Sequence, residues 1–140
     1  MYLIQNTKRN SLSIQIGGQG IRIHYDSGPE NIPDINTEFK HLEFLNRLTE
    51  YTGSIRMFGI NLFPFIKNCR KIRKLYINMC DDITDISPIL DFPELDEVYI
   101  DNSQNIQNIH LLNECKNLKE LRIDTIYANT FFDTRIDVYS

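Results

Sequence analysis

Tryptophan is absent from this sequence, and cysteine, glycine and proline are sparse, at three, six and five residues. Each scarcity excludes something. Three cysteines, an odd number with no C-x-x-C pair, rule out a disulfide framework and the common zinc spacings. His24, His41 and His110 form no H-E-x-x-H or comparable motif. There is no P-loop, no dinucleotide-binding glycine pattern and no G-x-S-x-G elbow, so neither a cofactor nor a metal nor an enzymatic activity is expected. No apolar run approaches the roughly 20 residues of a membrane-spanning helix. The opening MYLIQNTKRN lacks the basic-then-apolar order of a secretion signal, and no N-x-[ST] acceptor occurs. A cytoplasmic protein in a reducing compartment is expected, without membrane contact. Its net charge of −4 argues against general nucleic-acid binding.

What is present is ordinary in amount: 41% apolar and 24% charged residues in a chain of 140, the size of one domain (1–140). Isoleucine and asparagine are abundant, as an AT-rich genome would produce. The order of the residues is less ordinary. From Ile72 to Ile126 the chain repeats itself at an offset of 23 residues. Ile72, Leu95 and Leu118 align, as do Leu75, Val98 and Leu121, and then Ile77, Ile100 and Ile123. Ile83 meets Ile106, Ile86 meets Ile109, Ile89 meets Leu112, and Phe92 meets Cys115. A fixed period in the twenties signals stacked supersecondary units. Within a unit, Leu75 and Ile77 have the period-2 spacing of a strand with one buried face. The following Ile83, Ile86, Ile89, Phe92 and Leu95 come at threes, which suits 3₁₀ turns better than α-helix. Pro88 and Pro93 agree, since either would damage an α-helix interior.

The spacing I-x-x-L-x-I-x-x-C resembles the leucine-rich repeat, and Asp82–Ile89 is similar to the second half of a bacterial internalin-type repeat. The resemblance covers about residues 54–126. It implies an α/β fold: a short solenoid of leucine-rich repeats with a parallel sheet on its concave face, and a role in protein binding.

Outside the clear repeats, residues 1–53 read as an N-terminal cap. Leu12, Ile14 and Ile16, then Ile21, Ile23 and Tyr25, alternate with polar residues around Gly17-Gly18-Gln19-Gly20, the pattern of a hairpin. Gly17-Gly18-Gln19 matches the tripeptide of peptide-release factors, but two glycines and a polar residue are what a hairpin loop requires. Residues 37–51 read as a helix with Phe39, Leu42, Leu45, Leu48 and Tyr51 at threes, Asn36 or Thr37 as its cap and Gly53 at its end. A degenerate repeat follows, in which Ile60, Phe63, Ile66 and Cys69 keep the 23-residue offset and Ile55 and Met57 form the inward strand pair. Residues 127–140 form the C-terminal cap, with Phe131, Phe132, Ile136 and Val138 as its apolar contribution.

The repeat absorbs the reactive-looking side chains. Cys69 and Cys115 share the register of Phe92, a core position, and Cys80 takes the small-residue position after the strand. His110 falls on an outward register. Charge is segregated: residues 67–74 carry five bases and no acid, and residues 81–101 carry eight acids and no base. The outward strand positions supply the candidate binding surface. They are Arg56, Tyr76, Tyr99 and Arg122 in one row, Asn78, Asp101 and Asp124 in the next, and Lys74, Glu97 and Glu120 on the other side. Met79, Asn102 and Thr125 follow. Tyrosine and arginine are the residue types enriched at binding hot spots. A tyrosine pair flanked by Glu97, Asp101, Glu120 and Asp124 suits a basic surface on a protein partner. A bacterial immunity protein neutralising a basic toxin would have this size and charge. The alternative is an adaptor or self-associating subunit; the sequence does not specify an oligomeric state.

Overall fold

The computed structural model describes residues 2–7, 10–17, 20–26 and 40–140. Among these residues eight strands lie in one sheet in chain order: β1 (Tyr2–Thr7), β2 (Asn10–Gly17), β3 (Gly20–Asp26), β4 (Ser54–Phe58), β5 (Lys74–Asn78), β6 (Glu97–Asp101), β7 (Glu120–Arg122) and β8 (Asp137–Tyr139). β1, β2 and β3 are antiparallel neighbours, and every pairing from β3 to β8 is parallel. The architecture is therefore α/β with a mostly parallel sheet, its helical layer consisting of 3₁₀ segments.

The repeat register is realised strand by strand. Leu75 pairs with Val98 and Ile77 with Ile100, and Val98 with Leu121. β5 and β6 have the same alternation of buried and half-buried residues, because KLYIN and EVYID place apolar side chains at the same two positions. Between strands the chain returns through arcs whose apolar residues come at threes. Ile83, Ile86, Ile89, Phe92 and Leu95 are all buried, as are Ile106, Ile109, Leu112, Cys115 and Leu118. Ser87–Asp91 and Ile109–Glu114 are 3₁₀ helix, the geometry in which residues three apart eclipse one another on one edge. Bonds of that step include Ile89 N–H to Ile86 O at 2.9 Å and Phe92 N–H to Ile89 O at 3.2 Å. The arc edges and the inward strand residues merge into one core. Each fully buried Ile or Leu there contributes about 1.5–3 kcal/mol by its transfer from water.

Three expectations are corrected. The helix of 37–51 is a 3₁₀ segment over Lys40–Arg47, with Leu42 and Leu45 buried, so Gly53 does not end it. Its proposed caps Asn36 and Thr37, with Phe39, lie outside the described residues, as do Gly18 and Gln19. The hairpin is more than a cap: β3 pairs with β4 in parallel, Ile21 with Ile55 and Ile23 with Met57, so β3 begins the parallel array. In the degenerate unit Ile55 and Met57 do pair with Leu75 and Ile77, at an interval of twenty residues. Ile66 and Cys69 keep the longer interval, since Cys69 N–H to Ile66 O repeats Phe92 N–H to Ile89 O. Ile60, however, stands where Cys80 does, its carbonyl accepting from the Cys80 thiol at 3.5 Å. The unit lacks three residues at the turn after its strand.

The C-terminal segment contributes less apolar packing than expected. Ile136 is buried and Phe132 packs on the core, but Phe131 is 77% exposed and Val138 41%. β8 instead extends the sheet, and polar bonds close the last arc. Arg135 donates to the carbonyls of Leu118 at 2.9 Å and Asn113 at 2.8 Å. Ile126 is exposed, and Tyr127 takes the inward place, its hydroxyl donating to Ser103 O at 2.6 Å and accepting from Ile106 N–H at 3.1 Å.

Asparagine has a structural role that base composition concealed. Adjacent arcs are bridged by amide side chains: Asn105 Nδ2 donates to Asp81 O (2.8 Å), Asn117 Nδ2 to Pro93 O (2.7 Å) and Asn68 Nδ2 to Asn46 O (3.2 Å). Asn108 joins Asp85 Oδ1 at 2.7 Å and accepts from Ile86 N–H at 3.0 Å. These bonds satisfy backbone groups that the strand ladder does not reach.

Each of the first two repeat turns leaves its strand through the left-handed region, at Gly59 (φ 71°) and Met79 (φ 56°), and the third does so at Asn102 (φ 52°). A Cβ on Gly59 would also collide with the carbonyl oxygen of Tyr25. Gly59→Ala is expected to destabilise the protein by more than about 2 kcal/mol, combining left-handed strain with the clash. Met79→Asn, which matches Asn102, should stabilise it by roughly 0.5–1 kcal/mol. Urea denaturation of the two variants beside the wild type measures both.

Candidate functional site

The sheet face opposite the arcs is lined by the outward strand residues, and parallel pairing sets them in rows. One row runs Gln15, Arg22, Arg56, Tyr76, Tyr99, Arg122, Tyr139 across β2 to β8. The next runs Ser13, His24, Phe58, Asn78, Asp101. On the other side come Lys74, Glu97, Glu120 and Asp137. Of the residues expected at a binding surface, Arg56, Tyr76, Asn78, Glu97, Tyr99, Asp101, Glu120 and Arg122 belong to these rows. Asp124 is engaged elsewhere: its carboxylate accepts from Asn102 N–H (3.1 Å) and Ser103 N–H (3.2 Å), so it fastens the turn after β6. Thr125 leaves its row as well, because the chain enters a 3₁₀ segment at Thr125–Tyr127.

Arg22, His24 and Phe58 were missed. The alternation I-R-I-H-Y already turned Arg22 and His24 away from Ile21, Ile23 and Tyr25. What it could not show was that β3 would lie beside β4.

The middle of the face is aromatic. Tyr76 and Tyr99 meet edge-on, ring centroids 4.7 Å apart at 68°, a favoured geometry worth about 0.5–1.5 kcal/mol beyond area burial. The guanidinium of Arg56 lies 4.3 Å from the centre of the Tyr76 ring. Arg22 repeats this on Phe58 at 4.4 Å, and His24 meets Phe58 edge-on at 5.9 Å. Both tyrosines are half-buried, rigid and available on one side. Charge divides the face about them. Arg22, Arg56 and Lys74 stand on β3–β5; Glu97, Asp101, Glu120 and Asp137 stand on β6–β8, with Arg122 among them. Ion pairs cross the boundary and the acidic side, Lys74 to Glu97 at 3.4 Å and Arg122 to Asp101 at 3.9 Å. Exposed pairs of this kind each stabilise by about 0–1 kcal/mol. A cleft of about 720 Å³ opens at the N-terminal ends of β4–β6, with Arg56, Lys74, Tyr76 and Glu97 in its walls.

The cysteines are buried and free. Burial pushes each thiol up to about 11, and Cys80 Sγ donates to Asn78 O at 3.3 Å as well as to Ile60 O. Among the described residues no group of three or more His, Cys, Asp or Glu side chains converges as metal ligands, and no helix is long and apolar enough to cross a membrane.

A titration and a thiol-labelling experiment check this geometry. Burial, then the Glu97 and Glu120 carboxylates, push the Tyr99 phenol from 10 up to about 12. The unfolded chain therefore loses that proton first, so Tyr99's contribution to stability is whole below pH 10 and declines as pH rises towards 12. Glu97→Gln is expected to bring the Tyr99 titration back towards its ordinary value in an ultraviolet pH titration. Disulfide-exchange reagents should leave all three thiols unmodified in the native protein and label all three in urea, because buried neutral thiols are poor nucleophiles. Comparison with protein-family models, with curated proteins and with solved structures finds no match to this chain.

Proposed function

We propose that this chain is a short leucine-rich-repeat solenoid that binds a protein partner through its strand face and performs no catalysis. The support for the fold is the recurrence of one unit: a strand with two inward apolar residues, a left-handed turn and an arc with apolar residues at threes. The observation that carries the function is the Tyr76–Tyr99 pair, half-buried and edge-on at the centre of a sheet face whose other side chains are mostly charged or polar. Rigid aromatics at low entropic cost, surrounded by polar residues that exclude water, are the composition of a binding hot spot. The acidic side of the face, Glu97, Asp101 and Glu120, suits a basic surface on that partner. A cytoplasmic bacterial immunity protein holding a basic toxin would use such a face.

One observation favours a second reading, an adaptor or self-associating subunit. Among the described residues β8 is the last strand of the sheet; Tyr139, within it, is 52% exposed, and Phe131, in the segment that precedes it, is 77% exposed. An uncovered edge strand is a template for pairing with another chain. A concentration-dependent mass in sedimentation equilibrium would favour this reading.

The test of the first reading is affinity capture from a native bacterial lysate with wild type and the Tyr76→Ala/Tyr99→Ala variant. A single stoichiometric protein should be retained by the wild type. The double variant should bind it with about 2–4 kcal/mol less free energy, a loss of roughly thirtyfold to a thousandfold. Retention of the same protein with unchanged affinity would move the site off the strand face.

A further inference from the structure

The basic side of the strand face contains two cations that the ion pairs above do not use. Arg22 and Arg56 pair directly across β3 and β4, strands about 4.8 Å apart. Like charges placed opposite one another weaken a sheet unless something neutralises them. Among the described residues the ion pairs of this region are Lys74–Glu97, Arg73–Asp96 and Arg122–Asp101, and none includes Arg22 or Arg56. The Cζ of each of these two guanidiniums lies instead over an aromatic ring, Arg22 over Phe58 and Arg56 over Tyr76. Stacking occupies the π face of a guanidinium and leaves the in-plane N–H edge, the edge whose fork matches a carboxylate. Arg56 Nε has no hydrogen-bond acceptor among the described residues, a condition that costs free energy. Arg56 also forms part of the cleft wall, so there is room for a side chain to reach it.

We infer that Arg56, assisted by Arg22, is a carboxylate-binding subsite that receives an aspartate or glutamate side chain of the protein partner. The inference rests on the strand-face reading and adds the chemistry of the half that reading left open. A carboxylate fits better than a phosphate dianion, because Glu97 lines the same cleft and the chain as a whole carries −4. The partner must then present an acid over β3–β4 and bases over β6–β7. Two charge contacts of opposite sign on either side of the Tyr76–Tyr99 pair permit one docking orientation and penalise the reversed one.

The experiment follows the arginine side-chain Nε–Hε resonances of the full ¹⁵N-labelled chain by NMR during titration with a capped tetraglutamate peptide, a capped tetraglutamine peptide and inorganic phosphate. The Arg56 and Arg22 resonances should shift saturably with tetraglutamate, remain still with tetraglutamine, and respond more weakly to phosphate. Arg70, exposed and outside the strand face, is the internal control and should not saturate. Arg56→Lys keeps the charge but removes the fork, and should weaken the glutamate response about tenfold. Equal shifts at Arg70, an Arg56→Lys variant that binds as well as wild type, or tighter binding of phosphate than of glutamate would each overturn the inference. The captured partner separates this failure from that of the strand-face reading. A partner released by the tyrosine double variant but indifferent to Arg22→Gln/Arg56→Gln refutes the subsite alone. Saturable glutamate binding at Arg56 with a partner indifferent to the tyrosines upholds the subsite and refutes the tyrosine-centred site.

Discussion

Stacking is the constraint on which everything else in this molecule depends. No unit has an interior of its own: it offers two apolar side chains from a strand and a row of apolar side chains from an arc, and buries them only between neighbours. Leu75 and Ile77 lie between the pairs from β4 and β6, and all are fully or almost fully buried. The strand ladder sets the spacing of the units on one side, and the asparagine amides set it on the other. Because the inward positions are dictated by this packing, the outward positions are free of it. Arginine, tyrosine and glutamate therefore stand side by side on strands whose inward residues barely vary.

The fold was legible to the extent that one offset explains it. Leu75, Val98 and Leu121 announce the register without any long-range information, and Ile83, Ile86 and Ile89 announce arcs and not α-helices. Two things were hidden. The pairing of β3 with β4 depends on residues separated by the whole of the 3₁₀ segment Lys40–Arg47 and its flanks, and alternation within Gly20–Tyr25 carries no information about which strand will lie alongside. The shortened unit was also partly hidden: Ile60 is apolar and matches Ile83 by count, while it matches Cys80 in following directly on a left-handed turn residue. An apolar residue fits an apolar register at either offset, so hydrophobic pattern alone could not decide between them.

For the candidate site, the tyrosine row and most of its flanking acids could be read directly, since any side chain between two inward residues must face outward. Asp124 could not, because a carboxylate at a turn either faces solvent or binds nearby backbone amides, and sequence is silent on the choice. Asparagine is the converse case. Its abundance looked like background, yet Asn68, Asn105, Asn108 and Asn117 each reach across to a neighbouring arc. The signal was present in the spacing, for Asn105 and Asn108 flank Ile106 in one arc as Asp82 and Asp85 flank Ile83 in the preceding one.

The way the last arc ends bears on how long such an array can be. Interior arcs are completed by an amide from the unit that follows, so an interior unit always leaves its successor something to bind. Arg135 breaks that succession: its guanidinium covers the carbonyls of Asn113 and Leu118, and Asn113 turns to Phe131 O and Asp133 N–H. That arc is thereby closed by a segment that is not itself a unit. Duplication of a whole 23-residue unit ahead of that terminator would be chemically silent to it, whereas loss of the terminator would leave an open growth face. The number of units is thus separable from the means of closing the last arc, and the strand face can lengthen by whole units while the closing segment remains the same.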